Sequence, residues 1–142
     1  MSDLLEVLHI AGAVFVVGPM VLLPMFALRA LRAGDGAQVR RFAGSALGFG
    51  IAAVVVAAIG FGVLAMADPE RGWTLTTPWI LGSIVSAAVA AGVHLGVVVP
   101  GLYRAAREPG AGTFGYALVA TTSGLVAILM VVVVILMIVR PG

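Results

Sequence analysis

Cysteine and lysine are both absent from this chain, and charge of either sign is scarce. Without cysteine there are no disulfides, thiolate metal sites or cysteine nucleophiles, so a loop outside the apolar segments keeps its shape by brevity. Only 10% of the 142 residues are charged against 62% hydrophobic, and the mean hydropathy is +1.20. A water-soluble domain of that size would lack the polar surface to cover itself. Also missing are a Ser/His/Asp set with a buried acid, a phosphate-cradling Gly-Lys-Ser/Thr loop, paired intramembrane carboxylates and a His-rich ligand motif. No basic run is interleaved with exposed aromatics, which excludes a nucleic-acid face. The anionic neighbours that suit the chain are lipid headgroups.

What the sequence does contain is four apolar runs, 4–28, 42–67, 78–103 and 114–139. Each exceeds the ~20 residues needed to cross a bilayer core as a helix. Lipid offers no partner for backbone amides, and a barrel would alternate polar with apolar residues, so the fold class is all-α. The caps extend the helices to about 4–33, 37–67, 78–105 and 114–139 in one integral membrane domain, residues 1–142. Short links between them predict a four-helix up-down antiparallel bundle.

The link residues carry that prediction. Asp3 and Glu6 have capping-box spacing at the start of helix one. Gly34 can close helix one, and Asp35 with Gln38 reads as a second capping box. Asp68, Pro69 and Gly72 are turn chemistry, with Thr77 as a cap and Pro78 at the first helical position. Residues 108–112 form the last turn, with Thr113 as its cap. Trp73, Trp79 and Tyr103 suit the membrane interfaces.

All eight cations are arginines outside the apolar runs. Arg29, Arg32, Arg40, Arg41, Arg104 and Arg107 fall on one side and only Arg71 and Arg140 on the other, which makes loops 29–41 and 104–112 cytoplasmic. Both termini then face outward from the cell's inner (plasma) membrane. An acidic N-terminus and no small-residue cleavage motif predict that helix one is retained. Alanine- and arginine-rich usage without lysine suits a GC-rich bacterial genome.

Packing signals outnumber chemical ones. Gly44 with Gly48 and Gly92 with Gly96 have the small-xxx-small spacing that lets helices approach closely in lipid. Gly82, Ser86, Ala90 and His94 recur every four residues and share one face of helix three. Pro19 and Pro24 can each kink helix one. Ionisable groups within lipid are expensive, which singles out His9 and His94. At 1.5 Å per residue His9 lies roughly 7 Å below the outer end and His94 roughly 24 Å, too far apart to share a metal ion. These depths suggest two polar layers, His9 with Ser83 and Ser86, and His94 with Thr121, Thr122 and Ser123 of helix four. In the structural reading His94 bonds a hydroxyl of helix four, a contact of roughly 0.6 kcal/mol. In the functional reading it relays a proton or binds a ligand. Glu6, three residues before His9, either orients that ring and helps it hold a cation or is a solvated first-turn acid. The Thr121 to Ser123 hydroxyls are expected to bond carbonyls four residues back.

The stretch Leu8, His9, Ile10, Ala11, Gly12, Ala13, followed by Gly18 and by Leu22, Leu23 and Pro24, resembles the first helix of a broad bacterial group. That group takes in four-helix membrane proteins of unknown function, copper-resistance D-type domains and the haem-containing protoporphyrinogen oxidase-like membrane family. Pro78 and Trp79 opening helix three, with His94 farther along, are similar in placement. For the haem-containing branch the resemblance implies that His9 is an axial ligand of haem b, with a lysine opposite on the third helix. Here that stretch carries Ser83. Two functional classes follow. One is a non-catalytic accessory or structural bundle that packs into a homo-oligomer or a larger membrane complex through its glycine faces. The other is a haem-binding or redox membrane protein using His9, with a small-solute or metal-cation transporter as a weaker third.

Overall fold

The computed structural model describes residues 2–108 and 113–141, with side chains from 3 to 108 and from 115 to 141. It is helical throughout, with no strand among the described residues. Helix α1 is Ser2–Arg32 and α2 is Gly36–Ala65. After a 3-10 turn at Pro69–Arg71, α3 runs Pro78–Val93, a π-helical segment follows at His94–Val98, and α4 continues Val99–Arg107. The last helix, α5, is Thr113–Val139.

Four of these helical stretches are long and apolar enough to cross a membrane, counting Pro78–Arg107 as one span. At most 28% of each span's most apolar stretch is buried within the fold. Large side chains such as Phe15, Val14, Ile128 and Ile138 point outward instead. Helices that are apolar on every side are stable only in an apolar surrounding, so the molecule is that of a membrane protein.

The turn between α1 and α2 is built as its residues predict. Gly34 sits at φ +74° and donates to the Leu31 carbonyl, while the Asp35 N–H reaches back to Ala30 at 3.0 Å. That pair of bonds satisfies the last carbonyls of α1 in a Schellman arrangement. Asp35 then accepts from the Gln38 N–H at 2.9 Å and caps α2. In the opposite loop Asp68 accepts from the Glu70 N–H at 3.0 Å, and Gly72 at φ +60° ends the turn.

Other ends differ from the sequence expectation. Helix α1 starts at Ser2, so Asp3 lies inside its first turn, and Glu6 reaches for arginines rather than back to the backbone. Helix α2 stops at Ala65, two residues short of 67. Thr77 precedes α3 as expected, but its hydroxyl accepts from the Thr74 N–H at 2.9 Å and holds the loop, not the helix. Helix α5 is described from Thr113 on, and the expected cap by that side chain, with residues 109–112 of the expected last turn, lies outside what is described. Trp79, in the first turn of α3, is buried and meets Trp73 edge to face with centroids 5.4 Å apart, which leaves the interface expectation as it stood.

The largest departure is the break in the third span. Val99 donates to the carbonyl of His94, five residues back. Pro100 supplies the cause: it has no N–H for the Gly96 carbonyl, and its ring would press on that oxygen in a regular turn. One widened turn relieves the clash.

Helix α1 lies mostly against α2, α3 against α5, and α2 also against α4. The core is concentrated in one half of the bundle, where Ala27 and Ala30 of α1, Val39 and Ala43 of α2, Leu102 of α4 and Val119 of α5 are all buried. This half adjoins the Gly34 turn. The other half, beside Glu6, has fewer buried apolar side chains and more polar contacts.

Candidate functional site

Both histidines bond to the same helix. His9 Nδ1 lies 2.9 Å from the Val56 carbonyl, and His94 Nε2 lies 3.0 Å from the Ala46 carbonyl. A carbonyl only accepts, so the ring nitrogen in each pair carries the proton and donates it. Each carbonyl also accepts within α2, and its second lone pair takes the imidazole.

Access to that second lone pair depends on glycine. A helical carbonyl points toward the residue four positions on, whose side chain ordinarily covers it. Here those residues are Gly50 for Ala46 and Gly60 for Val56. A Cβ on Gly60 would stand 2.7 Å from His9 Cε1, and one on Gly50 would stand 2.8 Å from His94 Cδ2 and 2.6 Å from Leu95 Cδ2. Each imidazole therefore fills a notch that only glycine leaves open. Gly12 brings α1 equally close to α2, since a Cβ there would meet Val56 Cγ2 at 2.9 Å.

The environments of the two rings differ. His94 is fully buried in the π-helical segment, and its Nδ1 has no hydrogen-bond partner. Ser123 Oγ is the other buried side-chain atom without one among the described residues. His9 is half-buried. The expected bond from His94 to a hydroxyl of helix four is replaced by the bond to Ala46, because the Gly50 notch offers a stronger acceptor at the same depth. Thr122 does return its proton to the Leu118 carbonyl at 2.7 Å, while Thr121 is exposed. Ser83 is buried and donates to the Trp79 carbonyl at 2.7 Å. It is spent on its own helix, as a mid-helix serine often is. Ser86 is half-buried and makes no hydrogen bond to His9, whose ring turns to α2 instead.

Glu6 does not hold the His9 ring through Nδ1. Its carboxylate meets Arg140 at 3.1 Å and Arg71 at 3.8 Å. Both guanidiniums lie over Trp73, at 4.9 Å for Arg71 and 5.0 Å for Arg140. Arg140 adopts φ +46°, rare for a residue with a side chain. Its Nε–H bond to Met137 at 3.1 Å, its pairing with Glu6 and its stacking on Trp73 together hold it there. A small cavity of about 160 Å³ beside this network is lined by Asp3, Glu6, Asp68 and Arg71 among others. Among the described residues no group of three or more His, Asp or Glu is placed to hold a metal ion.

The glycine pairs divide between inside and outside. Gly82 faces Leu136 of α5, Gly44 faces the Tyr103 hydroxyl, and Ala90 is fully buried. Gly48, Gly92 and Gly96 are exposed and have open space where a Cβ would stand. With exposed Ala88, Gly92 and Gly96 form a small-residue face every four residues along the outside of the third span. The spacing was visible in the sequence, but which glycines face outward was not.

A haem of the kind the resemblance implies would take His9 through Nε2, whose lone pair is left by the Nδ1 bond to Val56. Ser83, which stands where the resemblance implies a lysine, donates its proton to the Trp79 carbonyl, and the chain has no lysine. The residues present would supply His9 to such a group but not the second ligand the resemblance implies. No family model, curated protein or solved structure matches the chain.

Proposed function

We propose that this chain is a multi-pass membrane bundle without a catalytic site of its own, which associates with a second copy or a larger membrane complex through the outer face of its third span. The observation that carries the reading is the pair Gly92 and Gly96, exposed with nothing within 4 Å of their Cβ positions. Close-approach residues stabilise contacts in lipid only when another backbone lies against them. The chemistry-bearing residues point the same way, since both imidazoles are engaged with α2 carbonyls. The six arginines of loops 29–41 and 104–112 favour those loops facing the cytoplasm, with both chain ends outside an up-down bundle in the inner membrane.

Two differently tagged copies expressed together and extracted in mild detergent test the proposal. Co-purification of one tag with the other is expected, and Gly92→Leu with Gly96→Leu should abolish it while leaving the monomer's melting unchanged, because both sites are open. An exclusively monomeric wild-type chain contradicts the self-association arm, and leucine variants that still co-purify contradict the assigned face.

A second reading, a haem carrier, is favoured by one observation. His9 donates Nδ1–H to a backbone carbonyl and keeps Nε2 free, the arrangement found in metal-bound imidazoles. An absorption spectrum after expression with ample haem decides it. A Soret band that His9→Ala removes supports this reading, and no band eliminates it.

A further inference from the structure

The end of the bundle that holds most of the arginines is unlike the Glu6 end in one respect. Arg71 and Arg140 are both engaged by Glu6 and Trp73, and Arg32 lies over Tyr116 at 4.8 Å. Arg104 and Arg107 are exposed and have no ion-pair partner among the described residues. Of the acids toward this end, Asp35 caps α2, and Glu108, directly after Arg107, is exposed and makes no ion pair among the described residues. Both guanidiniums sit at the last turn of the third span, the level at which headgroup phosphates lie beside a membrane helix.

Below them runs an open groove of about 590 Å³ between α2 and the third span. Its apolar wall is Leu47, Leu95, Val99 and Pro100, and its rim is Tyr103, Arg104 and Arg107. The widened turn makes this shape: Leu95 within it tucks into the Gly50 notch, and Pro100 follows where α4 resumes. Tyr103 leans over α2, its hydroxyl 3.6 Å from the Cβ position of Gly44 and without a hydrogen-bond partner among the described residues. Two cations and a neutral donor thus stand over an apolar slot that opens to the surroundings of the helices. A phosphodiester would take two charge-assisted bonds from the arginines, and the attached chain would cover the slot.

We infer that this groove binds one anionic phospholipid, its phosphate held by Arg104 and Arg107 and an acyl chain lying along Leu47, Leu95, Val99 and Pro100. The inference rests on the membrane-spanning nature of the chain and is independent of self-association. The specificity is for negative headgroup charge: a zwitterionic lipid brings its own cation to two arginines, and free phosphate lacks the chain.

Native mass spectrometry of the full chain released from neutral detergent tests this, with phosphatidylglycerol, phosphatidylcholine and inorganic phosphate as the probes. Retention of phosphatidylglycerol over phosphatidylcholine by about tenfold or more is expected from two basic residues at a headgroup. R104Q with R107Q should remove that preference, whereas R40Q with R41Q, which deletes equal charge outside the groove, should change it less than about twofold. Leu47→Trp, filling the slot at an exposed position, should weaken phosphatidylglycerol with all arginines present. Equal retention of the two lipids overturns the inference. So does an equal effect of both arginine pairs, which would mean diffuse attraction, or competition by millimolar inorganic phosphate, which would mean a free-anion site. A chain that stays dispersed without detergent would instead refute the membrane assignment itself, whatever the lipid result.

Discussion

Helix α2 carries the same device twice, and the two copies do different work. Gly50 and Gly60 each open the carbonyl four residues before them to an imidazole, His94 in one case and His9 in the other. Ten residues separate the notches, about 15 Å along the axis and about 80° around it, so one faces the third span and the other faces α1. The His94 notch lies in the half of the bundle with the dense core, and its ring is wholly enclosed. The His9 notch lies in the half held by Glu6, Arg71, Arg140 and Trp73, and its ring is half-buried. Depth, not bond length, decides what such a bond is worth: the enclosed ring cannot move aside, and the boundary ring can.

That contrast orders the expected effects of substitution, read as unfolding free energy in mixed micelles. His94→Ala should cost most, about 2–4 kcal/mol, because it empties an enclosed site and strips the Ala46 carbonyl of its second donor. Gly50→Ala should follow at about 1–3 kcal/mol, since the new methyl meets the enclosed His94 ring, which cannot move aside, as well as Leu95, which can shift toward the groove. The same glycine change in a His94→Ala background should cost less, and strict additivity would deny that ring and notch are coupled. Gly60→Ala should cost about 1 kcal/mol, because His9 can swing outward. Equal losses at Gly50 and Gly60 would erase the distinction drawn between the two halves. Glu6→Gln should cost least, below about 1 kcal/mol, as befits partly exposed ion pairs, and raised salt should shrink the difference.

Much of the fold is legible in the sequence because lipid imposes one rule on every span. Four runs of sufficient length, Gly34 with Asp35 between the first and second, and Asp68 with Gly72 between the second and third account for the helices and two of their turns. The break at His94–Val98 was not anticipated, although its signal is present: Pro100 in the middle of an apolar run deprives Gly96 of a donor. The site was less legible than the fold. Rise per residue gives the depth of His94 but not the direction it faces, and depth alone matched Thr121 to Ser123 as well as Ala46. What selects Ala46 is the missing side chain at Gly50, which is meaningful only once the neighbouring helix is known. Glu6 illustrates the same gap. Its spacing from His9 suggests a pair, yet its partners are Arg71 and Arg140, contributed from the far loop and the far end of the chain.

Both imidazoles donate to carbonyls of α2, through opposite ring nitrogens. Nitrogen-15 solid-state NMR of the histidine-labelled chain in lipid bilayers measures this directly. The predicted spectrum has His9 protonated at Nδ1 and His94 protonated at Nε2, each assignment confirmed by loss of its signals in the corresponding alanine variant. Protonation of the same nitrogen in both rings, or signals that shift together when Gly50 alone is changed, would contradict it.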